Sequence, residues 1–379
     1  MLSRLKFKIQ WLFEEIYNER LPESIFLSET TTFADLQSAG LQSIIPLINK
    51  LREYGHSDDN IRSRVFAFME NDVYLNYVMG RYYNLPVTLD IYRENINMKF
   101  DVLIGNDPYQ EKVGPKKTEP LWNKFFHKRI SLLKEGGYLS LIHPSGWRNI
   151  SGKFKDIQEV IRSKKVSYLS IHNEKDGMET FGAETRYDYY VLQNIPNDES
   201  ETLVKFQDGE FKKLLLDDME FIPNGGIDLL NSLLAKEGEE KVTVLHSFSN
   251  YETRKSWVSK TQNDEFNHPC VYTVNYLSQP TFYYSSTNEN GHFGIPKVIW
   301  SNGRISSVGS YIDDTGEFGL TQFSYAIVDE VENLPFIKRT LDSLKFKKLM
   351  ELCAVGQLTI NHKVISTFRK DFWKDFIDD

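Results

Sequence analysis

The segment that most constrains the fold of this chain runs from Phe100 to Tyr109. It begins with apolar side chains and ends abruptly in turn-forming residues and an aromatic ring, Gly105-Asn106-Asp107-Pro108-Tyr109. An apolar run bounded in this way predicts a buried parallel strand that opens into a loop at its carboxyl end. Ligands of open α/β sheets bind outside the carboxyl ends of the strands, so we expect a functional site at this loop.

The loop offers three groups that suit a flat, amino-bearing ligand. Asn106 has a side-chain amide oxygen, Asp107 has a backbone carbonyl beside Pro108, and Tyr109 has a flat ring. Two oxygens can accept hydrogen bonds from an exocyclic amino group while the ring stacks against the ligand. The sequence therefore predicts a site that holds a nucleobase or an amide by its NH2 group. An ordinary turn is the simpler alternative, because Asn, Asp and Pro all favour turns.

Three earlier strand-like runs also end in acidic residues. The runs cover residues 32–35, 64–70 and 87–90, and they end in Asp35, Glu70 and Asp90. In dinucleotide-binding folds an acid in such a place accepts hydrogen bonds from ribose hydroxyls. Capping of the following helices is the alternative role. Because these acids and Asn106 end four successive runs in order, we interpret them as parts of one ligand site.

The loop resembles motif IV, Asn-Pro-Pro-Tyr, of the methyltransferases that modify amino groups, with Asp107 at the place of the first proline. The resemblance implies a catalytic loop of Asn106, Asp107, Pro108 and Tyr109. In it the Asn106 side chain and the Asp107 carbonyl accept the amino hydrogens of the target base, and Tyr109 stacks on the ring. Aspartate retains the carbonyl, but without the proline ring we expect a looser loop.

The segment from Thr32 to Gly40 resembles motif I of the same family, the strand–turn–helix that binds S-adenosylmethionine. The common pattern has two glycines in this turn, and here there is one. The resemblance implies that the cofactor is contacted by Asp35, Gln37, Ala39 and Gly40, with Glu70 at the ribose and Asp90 at the adenine amino group. It implies no metal.

Two downstream segments extend the resemblance. Residues 121–147, a predicted helix and strand, resemble motifs V and VI, and residues 180–192 resemble motif VIII, a hairpin beside the catalytic loop. The resemblance makes Phe181 a candidate for the second face of the target base. His143 invites a general-base role, but a histidine at a strand end is more often a hydrogen-bonded structural group. The motif order is similar to that of gamma-group adenine-N6 DNA methyltransferases of type II restriction–modification systems.

The fold expected from this resemblance is α/β, a Rossmann-like methyltransferase sheet with helices on both faces, followed by a C-terminal α+β target-recognition domain. With 379 residues the chain is long enough for two domains. We predict a catalytic domain over residues 1–215, including a helical lead-in over 1–28. Residues 216–379 would recognise DNA, because aromatic, amide and basic side chains are frequent there.

The formal net charge of −8 does not favour DNA binding as a whole, but basic residues cluster locally. The candidates for phosphate contacts are Lys112, Lys116, Lys117, Arg148, Lys153 and Arg304. Solvated helix faces are the alternative for these clusters. Cys270 and Cys353 lack metal-like spacing, and the N-terminus lacks a signal-peptide pattern. We therefore expect a bacterial or phage-encoded cytoplasmic protein without membrane contact, a monomer or weak dimer.

These features predict an enzyme that transfers a methyl group from S-adenosylmethionine to the N6 amino group of a flipped adenine in double-stranded DNA, with any cognate restriction endonuclease on a separate chain. Two alternatives stay open: the same motif acting on RNA or on protein glutamine, and a non-catalytic recognition subunit. Asp198, Glu210 and Lys212 loosely match a nuclease metal site, but their spacing is permissive and a nuclease is not favoured.

Overall fold

The computed structural model describes residues 2–36, 41–69, 88–91, 98–115, 117–289, 292–356 and 358–377, with the backbone alone for 2–7, 69 and 88–91. The chain divides into two compact units, unit 1 (Met1–Ile222) and unit 2 (Pro223–Asp379). The division falls after the predicted boundary at 215/216. Leu216 is buried, and the backbone N–H of Ile222 donates to the carbonyl of Arg148 at 3.1 Å, so the intervening residues pack with unit 1.

Unit 1 alternates helices and strands. Its helices are α1 (Leu2–Glu15), α2 (Ser24–Leu27), α3 (Ile44–Glu53), α4 (Asp58–Arg64), α5 (Trp122–Leu132), α6 (Lys155–Arg162) and α7 (Glu174–Phe181). Its strands are β1 (Phe33–Asp35), β2 (Val65–Met69), β3 (Thr88–Ile91), β4 (Phe100–Asn106), β5 (Gln110–Gly114), β6 (Lys117–Pro120), β7 (Leu133–Pro144), β8 (Lys164–His172), β9 (Tyr187–Pro196), β10 (Thr202–Lys205) and β11 (Phe211–Leu214). A π-helical turn, Ile16–Arg20, continues α1.

Nine of these strands form one mixed sheet in the order β11-β10-β8-β9-β7-β4-β1-β2-β3. The strands from β7 to β3 in that order are all parallel, so their carboxyl ends lie at the same edge. Strand β9 enters antiparallel between β7 and β8. The predicted α/β fold is confirmed, and the strand ends that carry Asp35, Asp90 and Asn106 are brought to one edge of the sheet.

Strand β4 lies inside this sheet, between β7 and β1. Its residues 102–104 are completely buried, as expected of a parallel strand covered on both faces. Two of them share a hydrophobic cluster with Phe33 of β1 and with Leu47 and Leu51 of α3. Burial of each such side chain contributes roughly 1.5–3 kcal/mol to stability, so the loop after β4 starts from a rigid position.

The segment resembling motif VIII differs from the predicted hairpin. It consists of the end of helix α7 and the start of strand β9. The helix begins at a capping box in which Asn173 and Asp176 exchange hydrogen bonds with each other's backbone N–H groups. It ends at Gly182, whose φ of 72° is the left-handed conformation that glycine adopts without strain. The helix that begins at this capping box extends to Phe181, into the segment where the hairpin was predicted.

Unit 2 has the predicted α+β composition. Its strands are β12 (Thr243–Leu245), β13 (Val258–Ser259), β14 (His268–Val274), β15 (Pro280–Ser285), β16 (Lys297–Ser301), β17 (Ser310–Asp313), β18 (Gly319–Leu320) and β19 (Ser324–Val328). They form two four-stranded sheets, β12-β19-β16-β17 and β13-β15-β14-β18. Its helices are α8 (Ile227–Leu233), α9 (Leu334–Asp342), α10 (Leu344–Cys353) and α11 (His362–Ile365). Among the described residues, no helix is long and apolar enough to cross a membrane.

Unit 2 contains histidines whose burial links its stability to pH. Burial, with smaller contributions from the charges of Lys297 and His246, lowers the pKa of His292 to about 4. Burial, with smaller contributions from His246 and Lys363, also lowers the pKa of His362 to about 4. Because the unfolded chain binds these protons near its ordinary pKa of about 6.5, stability is complete above that pH and falls as the pH drops toward 4.

We predict that replacing His292 weakens this pH dependence. His292 has a φ of 93°, and asparagine is the non-glycine residue best suited to positive φ, so His292→Asn is the appropriate change. Urea unfolding at pH 7 and pH 5 should show a smaller loss of unfolding free energy in the variant than in the unmodified protein. An equal loss in both proteins would contradict the assignment of the pH dependence to His292.

Candidate active site

The loop after β4 places an unsatisfied oxygen at the carboxyl edge of the sheet. Asn106 is the last residue of β4, where it pairs with Ile142 of the neighbouring β7. Its side-chain oxygen Oδ1 is buried and has no hydrogen-bond partner among the described residues. A buried oxygen without a partner costs roughly 1–3 kcal/mol, so such atoms are uncommon unless a ligand or water satisfies them. The arrangement therefore provides a vacant acceptor at the predicted position.

Tyr109 lies beside this acceptor. Its hydroxyl is likewise buried without a partner within the described part of the chain. Burial is the main reason that the pKa of Tyr109 is raised well above its ordinary value, and the charges of Tyr187 and Asp188 add to the effect. The phenol therefore stays neutral at physiological pH and presents an uncharged ring for stacking.

Phe181 contacts Tyr109 in a way that differs from a two-sided clamp. The two ring centroids are 5.7 Å apart and the ring planes are inclined at 72°, an edge-to-face contact. Phe181 makes a second edge-to-face contact with Tyr187, at 4.9 Å. A base held between two aromatic residues needs two parallel faces, so in this arrangement no base fits between Phe181 and Tyr109. Stacking on Tyr109 would use its other face or would require Phe181 to move.

Asp107 does not leave the loop loose, contrary to the expectation drawn from the missing proline. Its side chain is 4% exposed and binds the completely buried guanidinium of Arg129. Arg129 Nε donates to Asp107 Oδ2 at 2.9 Å, and Nη2 donates to Oδ1 of the same carboxylate. The two parallel hydrogen bonds fix the orientation of the carboxylate as well as its position. The loop is therefore held by an ion pair where the related motif has a ring.

Gly105 provides the space for this ion pair. A side chain at Gly105 would overlap with the guanidinium of Arg129 and would come close to Asp35. Arg129 Nη1 also donates to the carbonyl of Ile104 at 2.8 Å, so the guanidinium lies directly against the end of β4. In the sequence Arg129 follows Lys124 and Lys128, a basic stretch typical of an exposed helix face. The sequence signal for this buried ion pair was the combination of Gly105, Asp107 in place of a proline, and Arg129 on the following predicted helix.

Asp35 is buried behind the loop, at 3% exposure. Its Oδ1 accepts a hydrogen bond from Arg129 Nη2 at 3.4 Å, and its Oδ2 accepts one from the Ser43 hydroxyl at 2.5 Å. Asp35 is thus bound to protein groups at the flank of the predicted cofactor turn. Residues 37–40 of that turn and Glu70 lie outside the described residues, as do the predicted cofactor contacts of Gln37, Ala39 and Gly40. The backbone of Asp90 is described, in β3 beside Phe68 of β2.

Of the six predicted DNA-binding residues, four are exposed, Arg148 is buried, and one lies outside the described residues. Lys112 and Lys117 are exposed on the β5–β6 hairpin that follows Tyr109, and Lys117 pairs with Glu119 at 2.7 Å. Lys153 is exposed before α6 and Arg304 is exposed in unit 2, whereas Lys116 lies outside the described residues. These exposed residues remain candidates for phosphate contacts.

Arg148 is not a surface residue, and its predicted DNA contact is wrong. Its side chain is completely buried, and its Nε donates to Asp188 Oδ2 at 2.7 Å. Its Nη1 donates to the carbonyl of Ile222 at 2.7 Å, and the indole of Trp147 donates to the same oxygen of Asp188. The short 3-10 turn Ser145–Arg148 at the end of β7 directs the arginine into the protein. There it hydrogen-bonds to Ile222, the last residue of unit 1.

His143 has a structural environment. Its Nδ1 donates to the carbonyl of Pro144 at 3.0 Å, so Nε2 accepts from the Tyr190 hydroxyl at 3.1 Å. Its ring stacks on Trp122, and burial lowers its pKa. Of the loosely nuclease-like residues, Asp198 pairs with Lys165 and Glu210 with Lys212. Among the described residues, no three or more His, Cys, Asp or Glu side chains are grouped as a metal site.

The sequence of the site matches a known family over part of the chain. Residues 24–177 match the family model of the Eco57I restriction-modification methylase. The match includes β1, β4 and the loop from Asn106 to Tyr109, and it covers less than half of the chain. No curated protein matches the chain significantly.

Several solved structures similar to this chain come from restriction–modification systems. The type IIG restriction endonuclease BpuSI has 11% identity and a TM-score of 0.47, over 98% of this chain and 60% of that chain. The type IIL enzyme MmeI, solved in complex with DNA, has 10% identity and a TM-score of 0.48, over 96% and 65%. The M protein of the type I enzyme EcoKI has 11% identity and a TM-score of 0.42, over 52% and 47%. The chain thus spans about half of the EcoKI protein and less than two-thirds of the other two.

The buried ion pair leads to a counterintuitive prediction for Asp107. Changing Asp107 to proline would restore the residue typical of the related motif, yet it removes the main partner of a completely buried guanidinium. We expect Asp107→Pro to lower the free energy of unfolding by about 3–5 kcal/mol, measured by urea denaturation. Asp107→Asn keeps one acceptor oxygen and should cost less. Equal or greater stability of the proline variant would show that the ion pair does not hold the loop.

Proposed function

We propose that unit 1 is an S-adenosylmethionine-dependent methyltransferase that acts on the N6 amino group of adenine in DNA. The observation that carries the proposal is the buried Oδ1 of Asn106, at the carboxyl end of a central parallel strand, which has no hydrogen-bond partner among the described residues. The match of residues 24–177 to a restriction–modification methylase family supports the same activity. A structural turn or a helix cap would use this oxygen as an acceptor for a backbone N–H, and no such hydrogen bond is present in the described part of the chain.

The chemistry of the amino group explains why acceptors are needed. The exocyclic nitrogen of adenine is conjugated with the ring and is therefore a poor nucleophile. The Asn106 side chain and the backbone carbonyl of Asp107 would each accept one amino hydrogen, which increases the electron density on nitrogen and orients its lone pair. When bound, S-adenosylmethionine supplies an electrophilic methyl group. The contribution of the protein is alignment and fixed dipoles, both of which lower the barrier without a shifted pKa.

Tyr109 would support the base from one face. Stacking of a base on an aromatic side chain is worth about 1–3 kcal/mol and does not depend on which base is bound. The neutral phenol avoids a charge near the incoming sulfonium group, consistent with its raised pKa. The edge-to-face partner Phe181 keeps the Tyr109 ring in place and, if displaced, could cover the opposite face of the base.

The proposed reaction needs no protein base before the attack. The amino group becomes acidic only as the new carbon–nitrogen bond forms, so the proton can leave afterwards to solvent. His143, the nearest obvious candidate for a base, uses both ring nitrogens in hydrogen bonds and has a lowered pKa. We assign it to the support of β7 rather than to proton transfer.

DNA is the substrate favoured by the arrangement around the loop. The β5–β6 hairpin with its exposed lysines begins directly after Tyr109, and the backbone N–H of Leu121 donates to the carbonyl of Tyr109 to close its base. An adenine inside a duplex must rotate out to reach the loop, at a cost of a few kcal/mol that phosphate contacts can offset. We assign target recognition to unit 2, Pro223–Asp379, which corresponds to the predicted recognition domain without residues 216–222.

We predict that Asn106→Ala lowers the rate of methyl transfer on the order of 100-fold, as found when one preorganised hydrogen-bonding group is removed from an active site. Single-turnover transfer of labelled methyl groups to unmethylated genomic DNA measures this rate, and calorimetry should show unchanged affinity for S-adenosylmethionine. Asn194→Ala is the matched control, because its amide donates to the carbonyls of Leu133 and Lys134 at the first residues of β7, away from the carboxyl end of that strand. Full activity of the Asn106 variant would exclude the proposed role.

The substrate is tested separately from the catalytic residue. Single-molecule sequencing of DNA from cells that express the chain should reveal N6-methyladenine at one recognition sequence. Methylated RNA or protein glutamine with unmethylated DNA would assign the loop to another substrate. Absence of both methyl transfer and cofactor binding would assign the chain to a non-catalytic recognition role.

We predict that the hairpin lysines contribute to DNA affinity through phosphate contacts. Replacing Lys112 and Lys117 by glutamine should weaken binding to any sequence and reduce the slope of log affinity against log salt concentration by about 1 for each lysine. Fluorescence anisotropy at several salt concentrations measures both quantities. Lys213→Gln, on the edge strand β11, is the control. A slope equal to that of the unmodified protein would remove the hairpin from the DNA interface.

A further inference from the structure

One buried cation connects two strand ends of the candidate site. The guanidinium of Arg129, on helix α5, contacts Asp107 in the catalytic loop and Asp35 at the end of β1. It also donates to the carbonyl of Ile104, the residue that faces Asp35 in the β1–β4 pair. The side chains of Arg129, Asp35 and Asp107 are at most 5% exposed. A single positive charge therefore lies between two carboxylates from neighbouring parallel strands.

Asp35 extends this connection to the far side of the predicted cofactor turn. The Ser43 hydroxyl, at the start of helix α3, donates to Asp35 Oδ2 at 2.5 Å. The backbone carbonyl of Ser43 in turn accepts a hydrogen bond from the Tyr17 hydroxyl at 2.8 Å. Asp35 and Ser43 thus precede and follow, along the chain, residues 37–40 of the predicted cofactor turn. Contacts run from these two residues through Arg129 to the catalytic loop without a gap.

We propose that Arg129 is a positioning residue that couples the cofactor turn to the catalytic loop. The coupling deepens the proposed methyltransferase function and rests on it for its biological meaning. A ligand that contacts the carboxyl end of β1 acts on the Asp35 carboxylate, and the shared guanidinium of Arg129 transmits the effect to Asp107, beside the base acceptor Asn106. The path consists of three side chains, all of them in the described part of the chain.

Arginine suits this role better than lysine. Its planar fork reaches Asp107 with two nitrogens while other N–H groups reach Asp35 and the carbonyl of Ile104, a set of directions that a single ammonium group cannot supply. The space for the fork exists because residue 105 is glycine. Arg148 is a second buried arginine of unit 1, and it binds Asp188 and the carbonyl of Ile222. A substitution at Arg148 therefore measures the effect of losing stability at a buried arginine elsewhere in unit 1.

The experiment compares Arg129→Lys with Arg148→Lys in the full chain. Hydrogen exchange followed by mass spectrometry measures backbone protection in residues 33–36 and in residues 105–109. We expect exchange in both segments to accelerate in Arg129→Lys and in neither segment to accelerate beyond the general effect of reduced stability in Arg148→Lys. The Kd for S-adenosylmethionine, measured by calorimetry, should rise about 5-fold or more in Arg129→Lys alone, the lower end of ordinary coupling between sites.

A second variant keeps the test decisive if Arg129→Lys folds poorly. Asp35→Asn leaves Arg129 bound to Asp107 but weakens its link to β1. Coupling predicts faster exchange in residues 105–109 of this variant, at a distance from the substitution, whereas a purely local role of Asp35 predicts no change there. Ser131→Ala, an exposed position on α5, is the control with unchanged exchange and unchanged methyl transfer.

The outcomes separate this proposal from the proposed function. Accelerated exchange in both segments, in a protein that transfers no methyl group to DNA, supports the coupling and rejects the substrate. Methyl transfer to DNA by an unmodified protein whose Arg129→Lys and Asp35→Asn variants keep the normal Kd and loop protection rejects the coupling alone. Acceleration confined to one segment in Arg129→Lys also overturns the coupling, because both strand ends must respond together.

Discussion

The candidate site depends on the electrostatic balance around Arg129, a completely buried guanidinium. An unpaired charge in a protein interior is highly unfavourable, so the two carboxylates and the Ile104 carbonyl that surround it are obligatory partners. Their positions are in turn obligatory: Gly105 must lack a side chain, and Asp107 must point inward. One charge thus determines the shape of a loop whose other members, Asn106 and Tyr109, carry vacant polar atoms.

The polar side chains of the loop differ in whether they are hydrogen-bonded to the rest of the protein. Asp107 is bound to Arg129 through its side-chain carboxylate, so its backbone carbonyl takes no part in the ion pair. Asn106 and Tyr109 have buried oxygens without a partner among the described residues. A site that is to accept an amino group needs acceptors that are already oriented, because reorientation during the reaction would raise the barrier. The ion pair between Asp107 and Arg129 supplies that rigidity, and it does so through atoms that would not themselves contact the amino group.

Much of unit 1 was predictable from sequence because local patterns and the tertiary fold agree there. The apolar run of β4 is interrupted by turn formers, and residues 2–15 and 44–53 show helical spacing of apolar residues, so the sheet edge and the first helices follow from periodicity. The burial of charged residues was not predictable in the same way. Arg129 and Arg148 stand in basic stretches that are indistinguishable from solvated surfaces, yet both are buried with carboxylates from distant parts of the chain.

The sequence by itself determined the order of the strand ends and the chemical nature of the loop, since a side-chain amide, a carbonyl and an aromatic ring follow directly from the residues at 106–109. Only the tertiary structure decided which charges are structural, because pairing joins Arg129 to Asp35 across 94 positions and Arg148 to Asp188 across 40. It also decided that Phe181 meets Tyr109 edge-on. Spacing along a chain carries no information about such contacts, which depend on the packing of helices against a completed sheet.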